Sequence, residues 1–333
     1  MKIIVTGGTG YIGSHTVTEL LESGHDVTII DNLANSKITV LDKIEKITHL
    51  RPEFHQINLL DYSSLLNLFK TSHYDLVIHF AGLKAVAEST EQPLRYYETN
   101  LVGTINLLKA MRETDVKKLI FSSSATVYGK QDSPAYTETM QAGINISSPY
   151  GRTKYMNEEI IKDYSIANPD FSAVILRYFN PIGAHPSGLL GEDPNGRPNN
   201  LMPIIMKVAT GELPELAVYG DDYPTPDGTC VRDYLHVTDL ARGHLAAMKA
   251  SDTPGTHIYN LGTGHGTSVY EIIKTYESIS GKPLARHVAP RRPGDLPAFY
   301  ADPSRAAHDL GWSAHLTVTD AMKDTLNYLA SFE

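Results

Sequence analysis

The segment Thr6-Gly7-Gly8-Thr9-Gly10-Tyr11-Ile12-Gly13 constrains this chain more than any other. It follows a short apolar run, KIIVT at 2–6. It opens an amphipathic stretch in which Ile12, Thr16, Leu20 and Leu21 share one helical face, with Gly24 placed to end it. Glycines at 7, 10 and 13 permit a tight strand-to-helix turn. They also let backbone N–H groups approach a pyrophosphate at the helix N-terminus. A second strand, DVTII at 26–30, ends on Asp31, where a carboxylate would accept from a ribose 2′-hydroxyl and repel a 2′-phosphate. That reading selects NAD over NADP; the plainer one makes Asp31 a turn residue beside Asn32.

The alternation continues. Strands are predicted at 54–57, 75–80, 118–122 and 173–178, and a helix from about 149 to 167 opened by Ser148 and Pro149. Strands alternating with helices predict an α/β fold, a Rossmann-type doubly wound parallel sheet. From Pro181 the texture changes. Residues 181–200 (PIGAHPSGLLGEDPNGRPNN) read as a long loop, of a length expected of a lid or binding segment. A boundary there gives residues 1–180 as an NAD-binding domain. Residues 181–333 then form a smaller α/β substrate domain, some of whose strands and helices return to the first. Ser268 to Glu271 has capping-box spacing and predicts a helix start. Gly262 to Gly266 is a second glycine cluster, but no matching acid follows it, and it reads as a turn.

Charge and cysteine usage narrow the function classes. With 29 Lys and Arg against 38 Asp and Glu, the net charge of −9 argues against wrapping on nucleic acid or an anionic membrane. The single Cys230 allows no internal disulfide and no Cys-based zinc site, which fits a reducing cytoplasm. The N-terminus runs straight into a strand, without signal-peptide architecture, and no apolar stretch approaches a membrane span. No metal site is expected from the scattered histidines.

Chemistry enters with Tyr150-Gly151-Arg152-Thr153-Lys154. Residues four apart share a helix face, so the Lys154 ammonium can lie near the Tyr150 phenol. A phenol is a poor base at neutral pH; a nearby Lys ammonium, the positive helix end and an oxidised nicotinamide would together favour phenolate. Alone, Tyr-x-x-x-Lys more often marks an exposed pair. Its companion is Ser122-Ser123-Ser124-Ala125-Thr126, hydroxyls at the C-terminal end of a parallel strand, where open α/β sheets bind ligands. Ser124 could pass a proton or hydrogen bond to a sugar hydroxyl beside the phenol.

With these residues in place the chain resembles the extended short-chain dehydrogenase/reductase superfamily and, within it, the UDP-glucose 4-epimerase family. The matching segments are 79–89 (HFAGLKAVAES), 122–129 (SSSATVYG), 148–154 (SPYGRTK), 177–188 (RYFNPIGAHPSG), 228–241 (GTCVRDYLHVTDLA) and 291–302 (RRPGDLPAFYAD). The resemblance implies reversible C4 epimerisation of UDP-galactose and UDP-glucose through a transient 4-keto sugar, with bound NAD. Tyr150 would be the base, assisted by Lys154 and Ser124. It further implies NAD contacts at Tyr11, Ile12, Asp31, Asn32, Asn35, Phe80, Ala81, Gly82, Lys84, Asn100 and Phe179, beside Ser124, Tyr150 and Lys154. Substrate contacts are implied at Asn180, Asn200, Leu201, Ala217, Tyr219, Arg232, Arg292 and Asp295. Arg232 and Arg292 suit a pyrophosphate, although each taken singly would be a surface ion-pair partner.

Asn58 stands where the family often has Asp, which predicts altered adenine contacts without loss of NAD. Phe299 matches a position that is bulky and aromatic in members restricted to non-acetylated sugars, so poor use of UDP-N-acetylglucosamine is expected. A homodimer paired through helices of the N-terminal domain is also implied. The nearest rivals are a nucleotide-sugar 4,6-dehydratase, a uronic-acid epimerase or decarboxylase, and a non-catalytic NAD-binding regulator. Dehydratases carry an Asp-Glu pair where this chain has Ala125-Thr126. A regulator has no need of Ser124, Tyr150 and Lys154 together.

Overall fold

The apolar run at 2–6 forms strand β1 (Lys2–Thr6), and the chain turns through the glycines into helix α1 (Tyr11–Glu22). Two glycine positions make that turn possible. Gly7 has φ +73°, and a Cβ there would lie 2.8 Å from the Ala81 amide nitrogen; at Gly13 it would lie 2.2 Å from the Gly7 carbonyl oxygen. Any side chain would therefore push helix and strand apart. The computed structural model describes residues 1–195, 200–292 and 294–331.

Strands β2 (Asp26–Asp31), β3 (Glu53–Gln56), β4 (Leu76–His79) and β5 (Lys118–Ser124) join β1 in one sheet with the strands Ser172–Tyr178 and Gly255–Leu261. All its pairings are parallel. The order is Gly255–Leu261, Ser172–Tyr178, β5, β4, β1, β2, β3, a seven-stranded sheet in the Rossmann manner. The central strands are apolar on both faces, because helices cover both. One layer packs Ile3, Val5 and Ile29 against Val17 and Leu20 of α1, and the other packs Ile4, Val77 and Leu119 against Leu65 and Leu107. β5 runs two residues further than expected, so Ser123 and Ser124 are still strand.

The long helix Pro149–Ala167 starts where Ser148 and Pro149 predict. The Ser148 hydroxyl accepts from the Gly151 N–H at 3.2 Å, and Pro149 sits at the first helical positions. Ser268 and Glu271 likewise form a capping box ahead of the helix Val269–Ser280. The turn after Gly262 wraps the Asp233 carboxylate, which accepts from the N–H groups of Thr263 and Gly264. In the segment 181–200, residues up to Ile182 belong to a short strand, Asn180–Ile182, paired in parallel with Tyr234–His236. Residues 196–199 of that segment lie outside the described residues. A second apolar core, around Met202, Ile205, Leu216, Val218, Ile272 and Met322, supports the later part of the chain.

Among the described residues, His15, His79 and His244 are buried without a carboxylate partner and held as neutral rings. His15 rests its Nδ1 on the Tyr11 carbonyl oxygen at 2.8 Å, and His244 its Nδ1 on the Leu240 carbonyl oxygen at 2.8 Å. His79 sits between the hydroxyls of Thr6 and Thr104 at 2.7 and 3.0 Å. Burial lowers His15 and His79 to about 3 and His244 to about 4. The unfolded chain binds protons at these rings below about pH 6.5 and the folded chain does not, so stability is lost as pH falls. Each ring should cost up to about 2 kcal/mol between pH 6.5 and 5. Urea unfolding across this window is expected to show a loss of several kcal/mol; a flat profile would contradict the burial of neutral rings.

Candidate active site

The strand order reverses at β1, between β4 and β2, and open α/β sheets bind ligands outside the carboxyl ends of strands at such a point. A cavity of about 350 Å³ lies there. One end is walled by Gly7, Gly10, Tyr11, Ile12 and Gly13, then Asp31, Asn32, Asn35 and Asn58. The middle is walled by Phe80, Ala81, Gly82 and Lys84. The far end holds Ser124, Tyr150, Lys154, Phe179, Asn180, Asn200 and Phe299.

The first end fits a dinucleotide. No side chain caps α1, so the N–H groups of its first turn are free to meet a phosphate, with the helix dipole in support. Asp31 holds the turn together. It accepts from the Thr9 N–H (3.3 Å), the Leu33 N–H (2.9 Å) and the Ser36 hydroxyl (3.3 Å), and so ties the glycine turn to the loop after β2. It also borders the cavity, so the turn reading does not exclude the ribose reading. Asn58 accepts from the Leu60 N–H at 3.0 Å.

Asn100 is not in the cavity wall. It is buried in a π-helical turn, Glu98–Val102, and exchanges hydrogen bonds with the Leu83 backbone while donating to the Thr153 hydroxyl at 2.9 Å. It braces the wall from behind.

At the other end, Tyr150 and Lys154 are both buried. The Lys154 ammonium donates to the Ser122 carbonyl at 2.7 Å and lies 5.0 Å from the centre of the Phe121 ring. Burial lowers its pKa to about 8, with Glu158 pulling upward. Burial also raises Tyr150 above its ordinary value, while hydrogen bonding with Ser124 pulls it down. In the protein by itself desolvation outweighs these groups, and the oxidised nicotinamide, the third cation expected to favour phenolate, is not among them.

Ser124 is more sharply specified than its type suggests. Its hydroxyl oxygen accepts from the Thr126 N–H at 3.3 Å and the Thr126 hydroxyl at 3.0 Å. With both lone pairs engaged, it has only its proton to offer, towards Tyr150 or a sugar oxygen.

Of the other residues named for substrate, Asn200 lines the cavity just ahead of the helix Leu201–Ala209, whereas Ala217 and Tyr219, on the strand Leu216–Tyr219, are outside its wall. Asp295 takes Arg292 Nε at 2.8 Å and Arg232 Nη2 at 3.5 Å, so both arginines do have an ion-pair partner, and it is shared. Arg232 lies 4.7 Å over the Phe299 ring and Arg292 lies 4.9 Å over Tyr219. Two guanidiniums on one carboxylate leave a net positive charge, which meets the cavity wall where Arg232 covers Phe299.

Glu192 and Asp193 were not anticipated. Lys84 pairs with Glu192 at 3.0 Å and Lys37 with Asp193 at 2.5 Å, while Asn200 donates to Glu192 at 2.7 Å. The segment Leu190 to Asn195 thereby straps the cavity, in keeping with the lid or binding segment expected of 181–200. The acidic pair in a Gly- and Pro-rich loop was the available signal.

The family model described as the NAD dependent epimerase/dehydratase family matches residues 3–262. The UDP-glucose 4-epimerase of Yersinia pestis is 53% identical over 329 residues, covering 98% of this chain and 97% of that protein. The same-named enzyme of Bacillus subtilis (strain 168) is 49% identical over 332 residues, covering 99% and 97%. The crystal structure of UDP-glucose 4-epimerase from Bifidobacterium longum, in complex with NAD+ and UDP, superposes with a TM-score of 0.96 at 50% identity, covering 99% of this chain and 98% of that one. A cavity with a dinucleotide cradle at one end and an enclosed Tyr–Lys–Ser set at the other accords with these likenesses, and the chain belongs to the NAD dependent epimerase/dehydratase family.

Proposed function

We propose that the protein interconverts UDP-glucose and UDP-galactose by inverting C4 of the hexose through a transient 4-keto sugar, with bound NAD. The observation that carries this reading is that Tyr150 and Ser124 line the same cavity as the glycine turn and Asp31. When bound, NAD supplies reversible hydride chemistry at C4 and, in its oxidised form, a positive charge within that cavity.

The glycine turn and Asp31 would hold the pyrophosphate and ribose, with Lys84 and Phe80 along the middle. Tyr150 removes the proton of the C4 hydroxyl and later returns it. Ser124, oriented as a donor by Thr126, stabilises the oxygen that carries the developing charge. Lys154 offsets the cost of an enclosed phenolate. Arg232 and Arg292 anchor the nucleotide diphosphate by charge-assisted hydrogen bonds. The hexose, tethered only through that anchor, can turn over between the two transfers. Ala125 in the same wall supplies neither acid nor base, so elimination across C5–C6 has no agent. This division of labour supports residues 1–180 as the cofactor half and 181–333 as the sugar-nucleotide half, with the strand Gly255–Leu261 returning to the first.

Phe299 closes the sugar end. Its ring stacks on Tyr136 with centroids 5.8 Å apart, meets Phe179 at 5.8 Å, and carries Arg232 above it. Held on these sides, it has little freedom to make room for an N-acetyl group. The exposed Leu94, Val102 and Met156, on or beside the helices Pro93–Tyr97 and Pro149–Ala167, support a homodimer formed through this side of the N-terminal half. Among the described residues no helix is long and apolar enough to cross a membrane. Placement in the cytoplasm is supported by the single buried Cys230.

Purified protein given UDP-galactose without added NAD is expected to form UDP-glucose. Tyr150→Phe should bind NAD and UDP-sugar nearly normally while losing at least about a hundredfold in turnover; unchanged turnover would defeat the assignment of the base. Wild-type protein should favour UDP-glucose over UDP-N-acetylglucosamine, and Phe299→Ser should shift that ratio by roughly tenfold. Equal use of both sugars by the wild type would remove Phe299 as the selector. Light scattering should return twice the 36.6 kDa chain mass, and a monomer would contradict the pairing.

A further inference from the structure

Glu158 and Arg177 form an ion pair that lies outside the cavity wall and takes no part in the chemistry above. Their side chains are 0% and 3% exposed. Arg177 donates from Nε at 2.9 Å and from Nη2 at 2.5 Å, a two-point fork on the carboxylate, and the Ser123 hydroxyl donates to Glu158 at 2.5 Å. The guanidinium also lies 4.7 Å from the centre of the Tyr128 ring. Desolvating two charges roughly cancels their attraction, so stability alone is a poor reason for such a pair.

What the pair joins is more telling. Glu158 lies one helical turn beyond Lys154. Ser123 sits between Ser122, whose carbonyl receives the Lys154 ammonium, and Ser124, the partner of the phenol. Arg177 precedes Tyr178, whose hydroxyl is bonded to the Ser122 hydroxyl, and the strand register sets Ser123 against Arg177 and Ser124 against Tyr178. One carboxylate thus fastens the helix that carries Tyr150 and Lys154 to both strands that carry their partners. The chain of contacts runs on: Tyr128 donates to Asn260 at 2.7 Å, Asn260 donates to the Tyr136 carbonyl at 2.8 Å, and Tyr136 stacks on Phe299.

Resting on the epimerase reading above, we propose that Glu158 and Arg177 are positioning residues that set the Tyr150–Lys154 helix against Ser122, Ser124 and Tyr178. The groups facing Lys154 support a second contribution. His79 from β4 is neutral and Ser122 of β5 meets the ammonium with its carbonyl, while Glu158 acts on it as an anion.

The test uses NAD-loaded enzyme with Glu158→Gln, Arg177→Lys and the double variant Glu158→Met/Arg177→Met. The double variant removes both charges together and is expected to regain most of the melting temperature that single truncation loses. Its kcat should nevertheless stay about a hundredfold down, because small misplacements of reacting groups are costly, with KM within about twofold and NAD content unchanged. In Glu158→Gln the alkaline limb of kcat should move to lower pH, and Arg177→Lys should keep part of the activity. Recovery of kcat along with melting temperature in the double variant would overturn the proposal, as would a loss expressed in KM alone. Should the double variant not fold, Glu158→Gln decides by the same split of kcat from KM. A wild-type protein inactive on UDP-galactose would defeat the underlying reading and this inference with it; an active wild type with equally active variants defeats the inference alone.

Discussion

Burial of a phenol and an ammonium in one enclosed corner governs this site. Taking Tyr150 and Lys154 out of water disfavours the charged form of each, raising the first and lowering the second to about 8. A base is therefore available only where the surroundings restore what water would have given. The Ser122 carbonyl meets the ammonium, Ser124 presents a proton because Thr126 occupies its lone pairs, and Glu158 supplies negative charge one turn along the helix. Oxidised NAD, when bound, would bring a further positive charge into the same cavity and favour the phenolate.

The same enclosure shapes the fold around it. β5 must extend to Ser124 to bring its hydroxyls to the cavity, and Ser148 must start the long helix at a point where Tyr150 faces them. Across the opening, Glu192 and Asp193 pair with Lys84 and Lys37 and cover the cofactor end. Exposed pairs of this kind contribute little to stability, on the order of 1 kcal/mol or less each. Their effect is to hold the segment against the cavity.

Much of this was legible in the residues. The glycine turn, Asp31, the Ser148–Pro149 helix start and the Ser268 capping box are local signals, set by backbone conformation and hydrogen bonds within a few residues, and these elements form where their residues predict. The sequence-distant pairs were not legible. Nothing local says that Glu158 meets Arg177, that Asp295 serves both Arg232 and Arg292, or that Asn100 stands behind the wall rather than in it. These depend on how strands register and helices pack. The depth of burial at Tyr150 was not legible either, for the same reason. Spacing places the ammonium on the right helix face, but only the packed structure shows it turned to the Ser122 carbonyl.

The most direct test is a difference titration of tyrosinate absorbance between the wild-type and Tyr150→Phe proteins, run with and without bound NAD. The account predicts that the phenol ionises above its ordinary value near 10 in the protein alone and below it when the cofactor is bound. The same value in both states, or one that stays above 10 with NAD in place, would contradict it.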